Sequence, residues 1–429
     1  MNFYIVTFGC KVNQCESEYI RSAMINQNFE SCDNMQSADV VIINSCTVTG
    51  ESDRKLRQMI HKIKKVNEKC VLVLTGCMPQ TAPEAAQKLE GIDIIIGNAG
   101  KTAIPEAVST YLKNKCKIFD VRPIKSIKEF EKYELSCTSY RSRAFLKIED
   151  GCDRFCSYCI IPYARGEVRS KPLEDIKKDT QRLSSNGYKE IVLVGINLSS
   201  YGKDIGPNLY DAVQIVCSVK GIERVRLGSL EPDMITDDLI NKLSLEHKLC
   251  PQFHLSLQSG CDEILEKMRR RYNRKEYIDL IGKLRSKFKN ATFTTDIMVG
   301  FPGESEENFM DSLNIIEQVQ FLKVHVFPYS PRSGTIAANM PDQISNRIKS
   351  ERVKKMIEIS NKSSRMVLDN FIGKKMDVLY ETLNKDLFYE GYTANYISVK
   401  SKSEKDIRGE IVSTTLSKLK ENFFEGFLT

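Results

Sequence analysis

The chain has 429 residues, 41% of them hydrophobic and 28% charged. That balance suits a globular protein of roughly three domains, and no run approaches the ~18–20 apolar residues of a membrane span. The net charge of +7, from 63 basic and 56 acidic residues, permits an RNA partner without requiring one. The start, MNFYIVTFGC, lacks the basic region and cleavage site of a signal peptide. The expected compartment is therefore the reducing cytoplasm, where fourteen cysteines point to metal binding or reactivity rather than disulfides.

Residues 1–116 read as a parallel α/β domain, with buried strands over 3–8, 39–45, 70–76 and 92–97 and a helical pattern over 53–66. Three of these strands run straight into a cysteine: Cys10, Cys46 and Cys77. In an open parallel sheet the ligand crevice lies beyond the carboxyl ends of the strands, so three distant thiols can meet there. Gly9 and Gly76 precede two of them, where a tight turn leaves no space for a side chain.

A lysine-rich linker is expected over 117–137, and a second α/β unit over 138–369. Strands are expected at 144–149, 190–196, 223–229, 252–258, 293–299 and 322–328. Helices are expected at 172–186, 262–271, 275–289, 305–319 and 344–368. Six βα repeats predict a partial (βα)6 barrel with its active face at the strand carboxyl ends. Cys152, Cys156 and Cys159, spaced C-x3-C-x2-C, follow the first of these strands on that face. Residues 370–429 alternate short apolar runs with Gly, Asn and Lys turns, which predicts a small antiparallel β-barrel.

Three thiolates on a four-iron cubane leave one iron open for a substrate or cofactor. Zinc is the competing reading, but it needs a fourth Cys or His nearby, and His61, His247, His254 and His325 are distant in sequence. Cys15, Cys32, Cys70, Cys116, Cys137, Cys217, Cys250 and Cys261 are expected to be small buried hydrophobes.

The triplet on a six-repeat barrel resembles the radical S-adenosylmethionine (SAM) superfamily. The wider sequence resembles its methylthiotransferase branch through TFGCKVNQCESE (7–18), NSCTVT (44–49), TGCMPQ (75–80), GCDRFCSYCIIPYARG (151–166), GINLSSYG (195–202), RLGSLEP (226–232), HLSLQSG (254–260), TDIMVGFPGE (295–304) and FPYSPRSGT (327–335). The resemblance implies two [4Fe-4S] clusters. Cys152, Cys156 and Cys159 would hold the one that binds and cleaves SAM, and Cys10, Cys46 and Cys77 the one that carries the sulfur. It also implies a C-terminal TRAM-like RNA-binding domain, a tRNA anticodon stem-loop as substrate, an electron donor and a sulfur donor, and no membrane.

Gly195, Asn197, Ser229, Glu231, Ser256 and Gln258 stand at strand ends where SAM contacts could be made, as does Asp296. Arg270 or Arg271 could pair with the SAM carboxylate, because a guanidinium suits a carboxylate in bidentate fashion. The bland reading is a solvated cationic helix end for the arginines and turn hydrogen bonds for the serines. In the C-terminal segment Tyr392, Tyr396, Lys400 and Lys402 interleave aromatics with charge, as base stacking and phosphate binding require. However, nine basic and nine acidic residues cancel there.

GCKVNQ and SCTVTGESDRKLRQ resemble the branch that adds a methylthio group at C2 of N6-threonylcarbamoyladenosine, position 37 beside the anticodon. The alternatives are the isopentenyladenosine branch, the ribosomal-protein aspartate branch and, in a different class, a non-catalytic RNA-binding protein with structural metal sites.

Overall fold

The computed structural model describes residues 1–133 and 142–429. Cys137 and the expected boundary between linker and second domain lie outside the described residues.

The amino-terminal sheet has six parallel strands in the order β2-β1-β3-β4-β5-β6. They are β1 (Asn2–Thr7), β2 (Glu30–Ser31), β3 (Val40–Ser45), β4 (Val71–Gly76), β5 (Ile94–Ile96) and β6 (Ile118–Asp120). The VVII and VLVL runs of β3 and β4 are buried on both faces because helices cover each side. β6 corrects the expected linker: Ile118–Asp120 pairs in parallel with β5, so the sheet runs past residue 116. Three residues are too few to show a strand period. The following segment is not free either, since Phe130 and Tyr133 are buried, and Tyr133 stacks on Tyr19 at 4.2 Å.

The second unit begins with β7 (Arg143–Lys147) and the short antiparallel pair β8 (Glu149–Asp150) and β9 (Arg169–Ser170). It continues through β10 (Glu190–Val194), β11 (Arg224–Leu227), β12 (Ser229–Leu230), β13 (Gln252–Leu255), β14 (Thr292–Val299) and β15 (Lys323–Pro328). The expected third strand is divided at Gly228. β11 pairs with β10 and β12 with β13, so the parallel arc stays continuous through six positions. This is the expected partial barrel.

The gap between its first and last strands is closed by the amino-terminal domain. The helix Lys11–Asn26 packs on β7, and Arg332, just after β15, donates to Asp53 and to Thr47, both at 2.7 Å.

The carboxyl-terminal strands β16 (Lys375–Leu383), β17 (Tyr389–Thr393), β18 (Ser398–Ser401), β19 (Ile411–Leu419) and β20 (Phe424–Leu428) form a closed barrel. Its β18–β20 pair is parallel, not antiparallel as expected. An odd number of strands cannot close with every neighbour antiparallel.

The structure also corrects the expectation for Tyr392 and Tyr396. They stack on each other at 4.7 Å beneath the second unit. Arg143 lies 5.2 Å from each ring and Arg226 lies 4.8 Å from Tyr396. The pair is thus an interdomain contact rather than a base-stacking platform. Lys400 is held by Glu390 at 2.7 Å, while Lys402 is exposed.

Candidate functional site

The strand ends do bring Cys10, Cys46 and Cys77 together. Cys10 caps the helix Lys11–Asn26, Cys46 follows β3, and Cys77 opens the short helix Cys77–Thr81 after β4. Both preceding glycines are in the left-handed region, Gly9 at φ +113° and Gly76 at φ +104°. A Cβ on Gly9 would lie 2.9 Å from Cys46 Cβ, and one on Gly76 would lie 2.4 Å from the Ser45 carbonyl oxygen. The absence of those side chains is what lets the three loops converge. Asn13 and Asn98 attend the thiols: Cys10 Sγ lies 3.7 Å from Asn13 Oδ1, and Asn98 Nδ2 donates to Cys77 Sγ at 3.5 Å. Burial, reinforced by Cys77, pushes the Cys46 thiol up to about 11.

The other triad lies in the loop after β8. Gly151, at φ +91°, turns the chain so tightly that a Cβ would sit 1.9 Å from the Glu167 carbonyl oxygen. Cys152 N–H donates to the Gly166 carbonyl at 2.9 Å and Cys159 N–H to that of Cys156 at 3.0 Å, which winds the loop around its own sulfurs. Burial, then the neighbouring Cys156, raises the Cys159 thiol to about 12, and burial raises Cys152 equally far. Beside Cys156 and Cys159 opens a cavity of about 170 Å³, lined also by Phe155, Tyr163, Arg269 and Ile336.

Of the strand-end residues, Gly195 and Asn197 follow β10 against Glu149. A Cβ on Gly195 would meet Glu149 Oε2 at 2.5 Å, and that oxygen accepts from Asn197 N–H at 2.8 Å. Ser229 is exposed at the start of β12. Ser256 and Gln258 are half-buried beyond β13, Gln258 with φ +69°.

Arg270 is at the centre of this rim. It donates to Cys156 Sγ at 3.3 Å and to the Ser256 carbonyl at 3.2 Å, and it is bonded to the Glu231 carboxylate. Arg271 is corrected: it turns away, toward Pro232, Asp233 and Lys283. Arg269 takes the left-handed conformation at φ +59°, which shifts the phase of the RRR run so that Arg269 faces the thiols instead.

Beside the strand-end triad lies a buried charge network that the sequence reading did not single out. Glu16 pairs with Lys101 at 2.6 Å, Lys147 at 2.7 Å and Arg165 at 2.6 Å. Arg165 also reaches Asp150 at 3.0 Å and Asn13 Oδ1 at 2.9 Å, and Lys101 reaches Asn98 Oδ1 at 3.0 Å. The network therefore touches the attendants of both Cys10 and Cys77, and it welds the two units together. A signal for it was present: Asn13, Glu16 and Ile20 share one helix face, and a carboxylate on a buried stripe demands a partner. Arg165→Ala leaves Glu16 and Asp150 undercompensated. The expected loss is about 3–5 kcal/mol of stability, read by denaturant unfolding of the metal-free protein.

Glu149 adds a pH dependence. It is buried, its Oε1 has no hydrogen-bond partner among the described residues, and burial raises its carboxyl to about 8. An acid that holds its proton more tightly when folded has its full stability below the unfolded value and loses it as pH rises toward the folded value. Glu149→Gln, which keeps an acceptor for Asn197 N–H, is expected to remove on the order of 4–5 kcal/mol of pH-dependent destabilisation between pH 4.5 and 8. Parallel melting curves of the metal-free proteins across that range check it.

The comparisons agree with this geometry. Residues 2–97 match the uncharacterized protein family UPF0004, and residues 146–316 match the Radical SAM superfamily. The threonylcarbamoyladenosine tRNA methylthiotransferase MtaB of Bacillus subtilis is 36% identical over 98% of this chain and 94% of its own length. The chain belongs to the radical SAM methylthiotransferase family.

The MtaB protein of Aquifex aeolicus is also 36% identical, over 95% of this chain and 98% of its own length. The tRNA-2-methylthio-N(6)-dimethylallyladenosine synthase of Acetivibrio thermocellus is 34% identical over 98% of this chain and 89% of its own length. Among solved structures, the radical SAM methyltransferase TsrM of Kitasatospora setae shares the fold. It has a TM-score of 0.58 and 13% identity, over 77% of this chain and 76% of that one.

As a member of this family the enzyme uses SAM and [4Fe-4S] clusters, and its residues fit both. Each triad gathers mutually repelling thiols whose thiolates need a cation among them. Among the described residues no group of three or more His, Cys, Asp or Glu converges tightly enough for a single metal ion. A cluster does not ask for that, because its thiolates bind different irons. The orphaned Glu149 oxygen and the strand-end rim offer polar contacts for SAM. Among the described residues no helix is long and apolar enough to cross a membrane.

All thirteen described cysteines are free. Of those read as buried hydrophobes, Cys15, Cys70, Cys217, Cys250 and Cys261 are buried; Cys32 is half-buried and Cys116 is exposed. The exposure of Cys116 follows from its place at the edge before β6.

Proposed function

We propose that the enzyme adds a methylthio group to C2 of N6-threonylcarbamoyladenosine at position 37 of tRNA. The pair of three-thiol sites, each short of a fourth ligand, carries the reaction, and the 36% identity to MtaB over nearly the whole chain supports the substrate. Cys152, Cys156 and Cys159 hold one cluster, and Cys10, Cys46 and Cys77 hold the other. Loaded, the first supplies the electron that cleaves SAM to a hydrogen-abstracting radical, and the second supplies the sulfur.

The chain's own residues bind and position. Arg270 ties the Cys156 loop to Glu231 and Ser256, so the rim formed by Gly195, Asn197, Ser229, Ser256 and Gln258 keeps a constant distance from the thiols. The Glu16–Arg165 network holds the second triad at the barrel mouth, where both sites address one substrate. Exposed Phe155 and Tyr163 beside Cys156 and Cys159 form an apolar edge for a base turned out of its stack. RNA contacts of the C-terminal barrel fall to exposed lysines such as Lys402 and Lys418, because its tyrosine pair is engaged elsewhere. The electron and the replacement sulfur come from external donors, and a tRNA substrate suits a cytoplasmic enzyme.

The test is nucleoside mass spectrometry of tRNA from cells with and without the gene. Loss of only the 2-methylthio form of threonylcarbamoyladenosine is expected. Loss of methylthio-isopentenyladenosine instead rejects this substrate, and loss from a ribosomal protein rejects tRNA altogether.

A further inference from the structure

The partial barrel has a polar lumen that neither triad uses. Side chains alternate across each strand. Phe253, Leu255, Phe293, Ile297 and Val324 go to the hydrophobic core. The alternate set on the last three strands is His254 and Ser256, then Thr294, Asp296 and Met298, then Lys323, His325 and Phe327. Register pairs His254 with Thr294, and Asp296 directly with His325. The His254 and His325 rings lie 5.8 Å apart.

A directed hydrogen-bond chain fixes Asp296. Arg226 donates to Gln252 Oε1 at 3.4 Å, and Gln252 Nε2 donates to Thr294 Oγ1 at 3.2 Å. The Thr294 hydroxyl proton is therefore available to His254 Nδ1, 3.0 Å away. That leaves His254 Nε2–H to donate to Asp296 Oδ2 at 3.2 Å. The carboxylate is held by one oxygen, and among the described residues its Oδ1 has no partner.

The same holds for both ring nitrogens of His325 and for the ammonium groups of Lys11 and Lys323. Lys11, the residue after Cys10, is solvent-exposed at the lumen's amino-terminal-domain side, near enough that the charges of Arg143, Arg226 and Asp296 act on it and its own acts on His325. Arg143 and Arg226 are already paired with Glu381 at 3.2 Å and Glu190 at 2.9 Å.

The lumen thus presents an unpaired imidazole and a half-free carboxylate level with Ser256 on the SAM rim, with the Lys11 ammonium near them. An apolar branched substituent on the substrate base leaves all three unpaired. A substituent carrying a carboxylate and a hydroxyl satisfies them. Sites built on hydrogen bonds reject analogues that lack the partners far more strongly than apolar pockets reject a missing methylene.

We propose that Lys11, His325 and Asp296 are the specificity residues for the N6 substituent: Lys11 and His325 take its carboxylate, and Asp296, oriented by His254, takes its hydroxyl. This rests on the reading that the enzyme acts on a modified adenosine in tRNA.

The test uses the cluster-loaded enzyme with SAM and three anticodon stem-loop RNAs, bearing adenosine, threonylcarbamoyladenosine or isopentenyladenosine at position 37. Affinities come from fluorescence anisotropy. The wild type is expected to prefer the threonylcarbamoyl loop by about tenfold or more. His325→Phe should erase most of that preference, leave the unmodified loop's affinity in place and retain full iron content. His325→Gln, which restores a donor, should recover part of the preference. Lys11→Met should act like His325→Phe.

Wild-type preference in His325→Phe and Lys11→Met overturns the pocket while leaving the methylthiotransferase reading intact. If His325→Phe loses iron, the His325→Gln result decides. If the wild type itself prefers the isopentenyl loop, the substrate reading fails and the pocket with it.

Discussion

Cys156→Ala is expected to abolish formation of 5′-deoxyadenosine from SAM. Cys156 is the buried member of its triad and receives the Arg270 guanidinium at 3.3 Å, so its loss removes a cluster ligand and unties the rim together. Two remaining thiols, both raised to about 12 by burial, do not hold a four-iron cluster. Anaerobic reconstitution followed by iron counting and chromatography of the SAM products makes the measurement. Iron should fall to about half of the wild-type content, the share of one of two equal clusters. SAM cleavage at the wild-type rate would reject the assignment of this triad.

Cys46→Ala separates the two sites. Its iron content should also fall by about half, yet SAM cleavage should continue because Arg270, Glu231 and the Cys152–Cys159 loop are untouched. Methylthiolation should stop, since the sulfur-bearing site is gone. Arg165 bonds to Glu16, Asn13 and Asp150, and none of these bonds uses the Cys46 side chain, so the variant should keep the docking of the two units. Product analysis over many turnovers decides: continued methylthio product would mean that the strand-end thiols do not carry the sulfur. Taken with Cys156→Ala, the expected pattern is asymmetric. One variant loses both reactions and the other loses only the second.

The two triads were legible in the sequence for different reasons. C-x3-C-x2-C is local, and a loop pinned by Gly151 needs no distant element to gather its sulfurs. Cys10, Cys46 and Cys77 are 36 and 31 residues apart, but they follow strands of one parallel sheet. Parallel pairing of β1, β3 and β4 puts all their carboxyl ends on one side. Strand order could therefore be inferred from pattern, and proximity followed from it.

The charged network was not legible in that way. Arg165 and Glu16 are 149 positions apart and meet only because the helix Lys11–Asn26 docks on β7. Periodicity shows that a face is buried; it does not say which residue lies opposite.

The same limit explains the corrections. Arg270 faces the thiols and Arg271 does not, because Arg269 takes a left-handed conformation that helix phase cannot foresee. Tyr392 and Tyr396 alternate as a surface pair would, but the second unit covers them with Arg143 and Arg226. The lumen set of Lys11, His254, Asp296 and His325 comes from four elements and two domains, and each member alone looks like an ordinary polar residue on a strand or helix end.

Spacing and hydrophobic period carry strand, turn and sheet direction because these depend on neighbours along the chain. Which polar groups share one space, and which remain unpaired within it, depends on how the domains pack. A ligand that covers such a group without pairing it incurs a desolvation cost, and that cost is what selects one ligand over another.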